Sequence, residues 1–268
     1  MGYSRPFLKW AGSKYRVLNT ILATLPKGKR LIEPFVGSGA VFLNATFEHN
    51  LLADTNQDLI NLFLLIQKNG EEFIDFAASY FIDKNNKEDI FYAYRNEFNS
   101  TESLETKSAL FIYLNRHCFN GLYRCNSKGL FNVPFGRYKQ PKFPYEELIN
   151  FYKSSKNASF KHQDFLITMD LATEGDVVYC DPPYVPLSPT ASFSDYTAAG
   201  FSQVQQEALA LKALELKQKG IKVIISNHDT PFTREIYKAA QITSFDVQRF
   251  IAAKASKRVK APELVASF

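Results

Sequence analysis

Residues 177–187, VVYCDPPYVPL, run β-branched and aromatic positions straight into a carboxylate, two prolines and a tyrosine. Asp181 offers a charged acceptor at the carboxyl end of a strand, where open α/β sheets place their ligands. Pro182 and Pro183 hold the backbone rigid, so the Pro182 carbonyl becomes a second acceptor in a fixed position. Tyr184 adds a flat face. Two acceptors beside a stacking ring suit the exocyclic amine of a planar base. Such an amine is a poor nucleophile, because its lone pair is delocalised into the ring. Hydrogen bonds from both N–H groups to Asp181 and the Pro182 carbonyl favour a pyramidal nitrogen whose lone pair points at an electrophile. The competing reading makes DPPY a plain turn. Pro-Pro is common in turns, but a carboxylate at a buried strand end followed by Pro-Pro-Tyr is a specific signal that its strand–turn context supports.

An electrophile needs a holder, and LIEPFVGSGAVFLNA (31–45) has the pattern of one. It reads as a strand, a tight turn with Gly37 and Gly39, then a helix. Glycine lets a backbone approach a ligand closely. Glu33 sits at the strand's carboxyl end. The next strand, LLAD, ends in Asp54, placed to hold the two hydroxyls of a ribose. Glycines also close many harmless turns, and Asp54 with Asn56 is equally suited to capping the following helix. This half alone does not separate NAD from other adenosine cofactors. The amine chemistry of DPPY does: it calls for the methyl group of S-adenosylmethionine.

The elements that must position these groups come in two kinds. RLIEP, LLAD, ASFKHQDF, DVVYCDPP, IKVIISNHD and SFDVQRFI read as strands, several of them continuous apolar runs of the type buried in a parallel sheet. QVQQEALALKALELKQKG is an amphipathic helix closed by Gly220. Alternating strands and helices imply an α/β sheet flanked by helices. Residues 56–114 differ, with apolar positions at helical spacing and no strand between them. A helical unit inserted into the sheet domain is expected, giving a catalytic domain of 1–55 and 145–268 and an insert of 56–144. The insert ends in NRHCFNGLYRCNSKGLFNVPFGRYKQPK (115–142), which contains Lys and Arg and no acid. Turn signals at Asn120-Gly121 and Lys128-Gly129 predict a β-hairpin around 118–136. Its basic residues, interleaved with Phe119, Tyr123, Phe131, Phe135 and Tyr138, combine phosphate neutralisation with rings able to fill a vacated stack.

Composition bounds the rest. The chain has 268 residues, 46% of them hydrophobic, and a formal charge of +5. No stretch reaches the roughly 18 apolar residues of a membrane span, and the N-terminus lacks the apolar core of a secretion signal. A cytoplasmic protein is expected. Three cysteines without a CxxC pair and four scattered histidines supply no disulfide framework and no metal constellation.

FLKWAGSK (7–14), EPFVGSG (33–39), LNRHCFNGLYRCN (114–126), FNVPFGRY (131–138), YCDPPY (179–184) and ISNHD (225–229) fall in the order found in DNA adenine-N6 methyltransferases of the Dam family, which methylate adenine in GATC. The sequence resembles that family over nearly its whole length. DPPY alone is shared with cytosine-N4 methyltransferases, and the hairpin and KWAGSK narrow the match. The resemblance implies a Rossmann-like S-adenosylmethionine-dependent methyltransferase sheet with an inserted helical target-recognition domain carrying a β-hairpin. It places Trp10, Ala11, Gly12, Lys14, Glu33, Phe35, Asp54, Asp164, Phe165 and Asp181 around S-adenosylmethionine, with Gly37 and Gly39 forming the turn. Asp181, Pro182 and Tyr184 take a flipped adenine. Lys9, Asn120, Leu122, Arg124, Pro134 and Tyr138 match positions that read or flank the target bases. Arg95, Arg116, Asn126, Asn132 and Arg137 match phosphate contacts. Phe119 stands where the family often has a Tyr that enters the opened stack; it keeps the ring and loses the hydroxyl. His117, Cys118, Tyr123 and Cys125 receive no role. Double-stranded DNA is the implied partner, for a monomer without metal, and roles in mismatch repair and replication timing come only with the family. The enzymatic rival is a cytosine-N4 methyltransferase. The non-enzymatic rival is a DNA-binding protein with a degenerate cofactor fold, against which the intact Asp181, Tyr184, Gly37 and Gly39 stand.

Overall fold

A computed structural model describes residues 2–185, 201–248 and 260–268. Residues 186–187 of VVYCDPPYVPL and 249–251 of the expected strand SFDVQRFI lie outside the described residues. Seven strands form one sheet: β1 (Arg30–Glu33), β2 (His49–Asp54), β3 (Ala158–His162), β4 (Asp176–Cys180), β5 (Lys222–His228), β6 (Gln241–Gln248) and β7 (Lys260–Ser267). Their order is β3-β2-β1-β4-β5-β7-β6. β1 pairs in parallel with β2 on one side and β4 on the other, and β3 and β5 extend the two flanks in parallel. β7 runs antiparallel between β5 and β6. Strand order therefore reverses between β1 and β4, and the carboxyl ends of the strands at such a switch point border a crevice.

The helices are α1 (Leu18–Thr24), α2 (Gln57–Asn69), α3 (Glu71–Ala78), α4 (Glu88–Ser100), α5 (Leu104–His117), α6 (Tyr145–Ser154), α7 (Phe165–Asp170), α8 (Gln203–Gln218) and α9 (Pro231–Ile236). Both faces of the sheet are covered, which is why β1, β4 and β5 read as continuous apolar runs. Ile32, Val178, Cys180, Val223 and Ile225 share a core with Phe165 of α7 and Leu209 of α8, whereas Leu31, Tyr179 and Ile224 alternate onto the other face with Leu18 and Ile21 of α1. α8 begins in a capping box between Ser202 and Gln205, and the chain leaves it through Gly220 at a φ of 77°.

Helices α2 to α6 lie between β2 and β3. Asn56 caps α2 by accepting the Leu59 amide at 3.0 Å, and Leu59, Ile60, Leu62, Phe63 and Ile66 are buried. Each such side chain contributes about 1.5–3 kcal/mol. Leu52 of β2 and Phe160 of β3 belong to the same core as α2 to α6, so the helices are seated on that flank of the sheet. α5 is buried on every side from Ser108 to Asn115, as a central helix must be.

Three details differ from the sequence reading. The helix expected after the glycine turn is only a run of hydrogen-bonded turns. Asn44 takes the Ala40 carbonyl with its own side chain at 2.8 Å and ties itself to the Ser4 backbone, which stops helical propagation. Of the hairpin's two turn signals only Lys128-Gly129 marks the reversal, at residues 126–130, where Asn126 Oδ1 accepts the Lys128 and Leu130 amides. Asn120 and Gly121, at φ of 55° and 64°, instead bend its first arm; antiparallel pairs join Cys118 to Phe135 and Cys125 to Phe131. Finally, β7 went unread because Pro262 interrupts it. The Pro262 carbonyl accepts from the Asp229 amide at 2.9 Å, just past the last β5–β7 pair, His228–Glu263. Pro262 has no N–H to return that bond, and the β5–β7 pairing ends at His228–Glu263.

Candidate active site and nucleic-acid interface

Two turns meet at the β1/β4 switch point. Glu33 closes β1, is 2% exposed, and its Oε1 has no hydrogen-bond partner among the described residues. Burial pushes its carboxyl well above the usual range, and the Asp181 carboxylate pushes the same way. The glycine turn follows, with Gly37 and Gly39 at φ of 47° and 71°. A Cβ on Gly37 would lie 3.0 Å from the Trp10 indole, so the space this glycine leaves is filled by the KWAGSK loop. Ser13 and Ser38 join the same two segments, hydroxyl to hydroxyl, at 3.2 Å. Asp54 accepts the Gly37 amide at 3.1 Å and the Asn56 amide at 2.9 Å, one on each oxygen. It thereby pins the glycine turn to the start of α2. Burial raises its carboxyl and these amides pull it back.

Across the switch point, Asp181 Oδ1 receives the Lys14 ammonium at 2.9 Å and the Ser226 hydroxyl at 3.1 Å. Burial raises the Asp181 carboxyl, and Lys14 opposes that shift. Lys14 also donates to the Gly12 carbonyl at 2.6 Å, and its ammonium lies 4.5 Å from the centroid of the Tyr184 ring. His228 meets that ring edge-on at 4.7 Å, and the Tyr184 hydroxyl donates to Glu263 at 3.3 Å. The turn is braced from behind: Gln206 donates to the Pro183 carbonyl at 2.8 Å and Asn227 accepts the Val185 amide at 3.2 Å. Asn227 in turn donates to Gln206 at 3.0 Å and to the Tyr237 hydroxyl at 3.2 Å. Ser226, Asn227, Gln206 and Glu263 were not singled out in the sequence. ISNHD held two of them without suggesting a role, and a glutamine on the buried face of α8 was the remaining signal.

Phe35 stacks on Phe165 with centroids 5.4 Å apart, and Phe201 packs edge-on to Phe35. Asp164 caps α7 by accepting the Leu166 amide at 2.8 Å.

The basic segment divides into several clusters. Lys9 lies with its ammonium 4.4 Å from the Tyr138 ring centroid, and the Tyr138 hydroxyl accepts the Asn120 amide at 3.0 Å. Arg124 donates from Nε to Asn132 Oδ1 at 2.7 Å and from Nη2 to the Asn132 carbonyl at 3.5 Å. One edge of its guanidinium is thus fixed across the hairpin, while the residue itself is exposed. Phe119 is 52% exposed. Pro134 is exposed and Leu122 half-buried. Arg95 and Arg116 reach backbone carbonyls of Val133 and Lys142, and Arg137 lies 3.6 Å from Glu88. Asn126 is committed to the hairpin's own turn.

Sheet order, glycine turn and braced DPPY turn together define a Rossmann-like methyltransferase. The model of the D12 class N6 adenine-specific DNA methyltransferases matches residues 10–251, and the chain belongs to that family. It is 50% identical to the DNA adenine methylase of Haemophilus influenzae, covering 98% of this chain and 93% of the relative. Identity is 46% to that of Serratia marcescens, over the full length of both, and 45% to that of Escherichia coli K12, covering all of this chain and 96% of the relative. The chain is an adenine-N6 DNA methyltransferase of the Dam family, and the cytosine-N4 alternative is not favoured. Among the described residues no helix is long and apolar enough to cross a membrane.

Proposed function

We propose that this enzyme methylates N6 of a flipped adenine in GATC in double-stranded DNA, as a monomer, with S-adenosylmethionine as donor. The observation that carries the reading is the meeting of the Glu33–Gly39 turn and the Asp181–Tyr184 turn at the switch point, with Lys14 between them. The residues present suit that donor. The orphaned, buried Glu33 Oε1 matches an ammonium, Asp54 retains acceptor lone pairs for hydroxyls, and Phe35 with Phe165 offers ring faces. When bound, S-adenosylmethionine supplies an electrophilic methyl group on sulfur.

The chain's own residues do the rest. Lys14 favours the ionised form of Asp181, which needs its charge to accept from the adenine amine. Ser226 and Lys14 both occupy Oδ1, which leaves Oδ2 for the base. The Pro182 carbonyl is the second acceptor, kept in place by the bonds on Pro183 and Val185. A base stacked on Tyr184 takes the place of the Lys14 ammonium. Residues 56–144 form the target-recognition unit, joined by Lys9 from the N-terminal segment: Lys9, Asn120, Leu122, Arg124, Pro134 and Tyr138 read or flank the target bases, Phe119 fills the opened stack, and Arg95, Arg116, Asn126, Asn132 and Arg137 serve the phosphates. Methylating a random-sequence duplex pool and reading the modified positions tests this. N6-methyladenine confined to GATC is expected, and modification at another sequence refutes the target assignment.

A further inference from the structure

Asn115, 3% exposed near the end of α5, spends its whole amide on two loops and none of it on its own helix. Its Oδ1 accepts the Lys9 amide at 2.9 Å, while its Nδ2 donates to the Lys9 carbonyl at 2.8 Å and the Gly121 carbonyl at 3.1 Å. Lys9 opens the KWAGSK loop and Gly121 closes the Asn120-Gly121 bend, so one side chain joins the cofactor side to the base-reading side. The joint is tight: a Cβ on Gly121 would lie 2.4–2.5 Å from the Lys9 side chain. A second line of contacts runs beside it. Trp10 abuts Gly37 and stacks on Phe111 at 6.4 Å and on Tyr123 at 5.9 Å. The Tyr123 hydroxyl donates to Asp58 at 3.1 Å, which Lys107 also holds at 3.1 Å. Tyr123 is flanked in sequence by Leu122 and Arg124.

We propose that Asn115 is a positioning residue that locks the KWAGSK loop to the Asn120-Gly121 bend, so that occupancy of the cofactor site and reading of the target sequence are coupled. The inference rests on the site assignment above. A buried asparagine that merely satisfies its own polarity is the alternative; it predicts altered stability and no change in coupling. Linkage makes coupling reciprocal, so cofactor-site affinity measured with and without DNA reports it.

The experiment titrates S-adenosylhomocysteine by calorimetry into the enzyme alone, with a GATC duplex, and with a scrambled duplex. The unmodified protein should bind it about fivefold or more tightly on the GATC duplex than alone, within the usual range of coupling between sites. Asn115→Ala should reduce that ratio to about twofold or less while binding S-adenosylhomocysteine alone nearly as the parent does. A parent ratio near one, or an undiminished ratio in the variant, overturns the proposal. Failure of the parent to bind or methylate any duplex would instead refute the assigned function. Amide exchange in the unmodified protein covers the case of a misfolded variant. S-adenosylhomocysteine alone should slow exchange across residues 118–122, and slowing confined to 9–14 and 33–39 would show that the joint transmits nothing.

Discussion

Asp181→Asn tests the core of the chemistry because it preserves shape and reverses one hydrogen-bonding role. Oδ1 is already held by Lys14 and Ser226, so the proposed function gives Oδ2 to the adenine amine. An asparagine that keeps its oxygen toward Lys14 turns an amide N–H toward the adenine amine, donor facing donor. Removing one preorganised group at a reacting centre costs about 2.7–4 kcal/mol, or about 10²–10³ in turnover. Stability should fall less than for an ordinary broken buried pair, which costs about 3–5 kcal/mol. Lys14 keeps the Gly12 carbonyl, and the burial penalty on the Asp181 carboxylate disappears with its charge. The assay is labelled methyl transfer at saturating DNA and cofactor, with cofactor binding confirmed by calorimetry and DNA affinity read by anisotropy. DNA affinity should hold, because the basic segment is untouched. The pH profile carries an independent sign. Burial raises the Asp181 carboxyl, so turnover of the parent should fall as pH drops through that raised value, and Lys14→Met should move the acid limb to higher pH. Turnover within about tenfold of the parent, or DNA affinity falling in parallel with it, would sink the assignment.

Glu33→Gln should raise the thermal midpoint more at pH 8 than at pH 5. Its folded carboxyl is raised above the unfolded value, so ionisation costs stability that is intact below the unfolded range and is lost as pH rises through it. An equal shift at both pH values would mean the group is not strained by its charge. Arg124→Ala should lower activity on GATC and relax one outer base pair, a bidentate Arg–guanine contact being worth roughly 1–3 kcal/mol of discrimination. Arg137→Ala should weaken all sequences alike and reduce the salt slope by about one charge at most, since Glu88 already neutralises part of it. Parallel losses across a panel with each base pair varied would remove Arg124 from direct readout. Trp10, the only tryptophan, should change its fluorescence on cofactor binding; silence with binding confirmed calorimetrically would place the loop elsewhere.

Much of this site could be read from local signals because each motif carries its own turn. Strand, glycine turn and acid at 31–39, and strand, acid and two prolines at 177–184, are contiguous, and their placement at carboxyl strand ends follows from the α/β alternation. What could not be read is long-range. Nothing near Asp181 in sequence points to Lys14, 167 positions earlier, or to Ser226, 45 positions later. Glu263 lies on a strand that Pro262 disguises. Gly37 shows the subtler limit. The requirement for glycine was visible, but the neighbour that imposes it is Trp10 together with a φ of 47°.

Several of the groups assigned to ligands have internal partners in the free chain. Lys14 holds Asp181 and covers Tyr184, Asn132 holds one edge of Arg124, and Phe35 lies against Phe165. Of these contacts, the Lys14 ammonium against the Tyr184 ring occupies a position that the proposed function gives to the base. An unpartnered charge at Asp181 would cost several kcal/mol, and Lys14 and Ser226 reduce that penalty in the free enzyme. Clearing the Tyr184 ring then becomes part of recognition. The guanidinium still presents its outer edge with Asn132 attached, so a guanine can add to that contact, whereas the base bound against Tyr184 must displace an ammonium. A movement of the Lys14 ammonium off the Tyr184 ring would clear the stacking face, while its contact with Oδ1 keeps Asp181 ionised. Lys14 lies in the same loop as Trp10, which packs on the cofactor turn. On this geometry the cofactor side is the one placed to release it, and Lys14→Met should let a flipped base bind with less dependence on bound cofactor, even as it slows transfer.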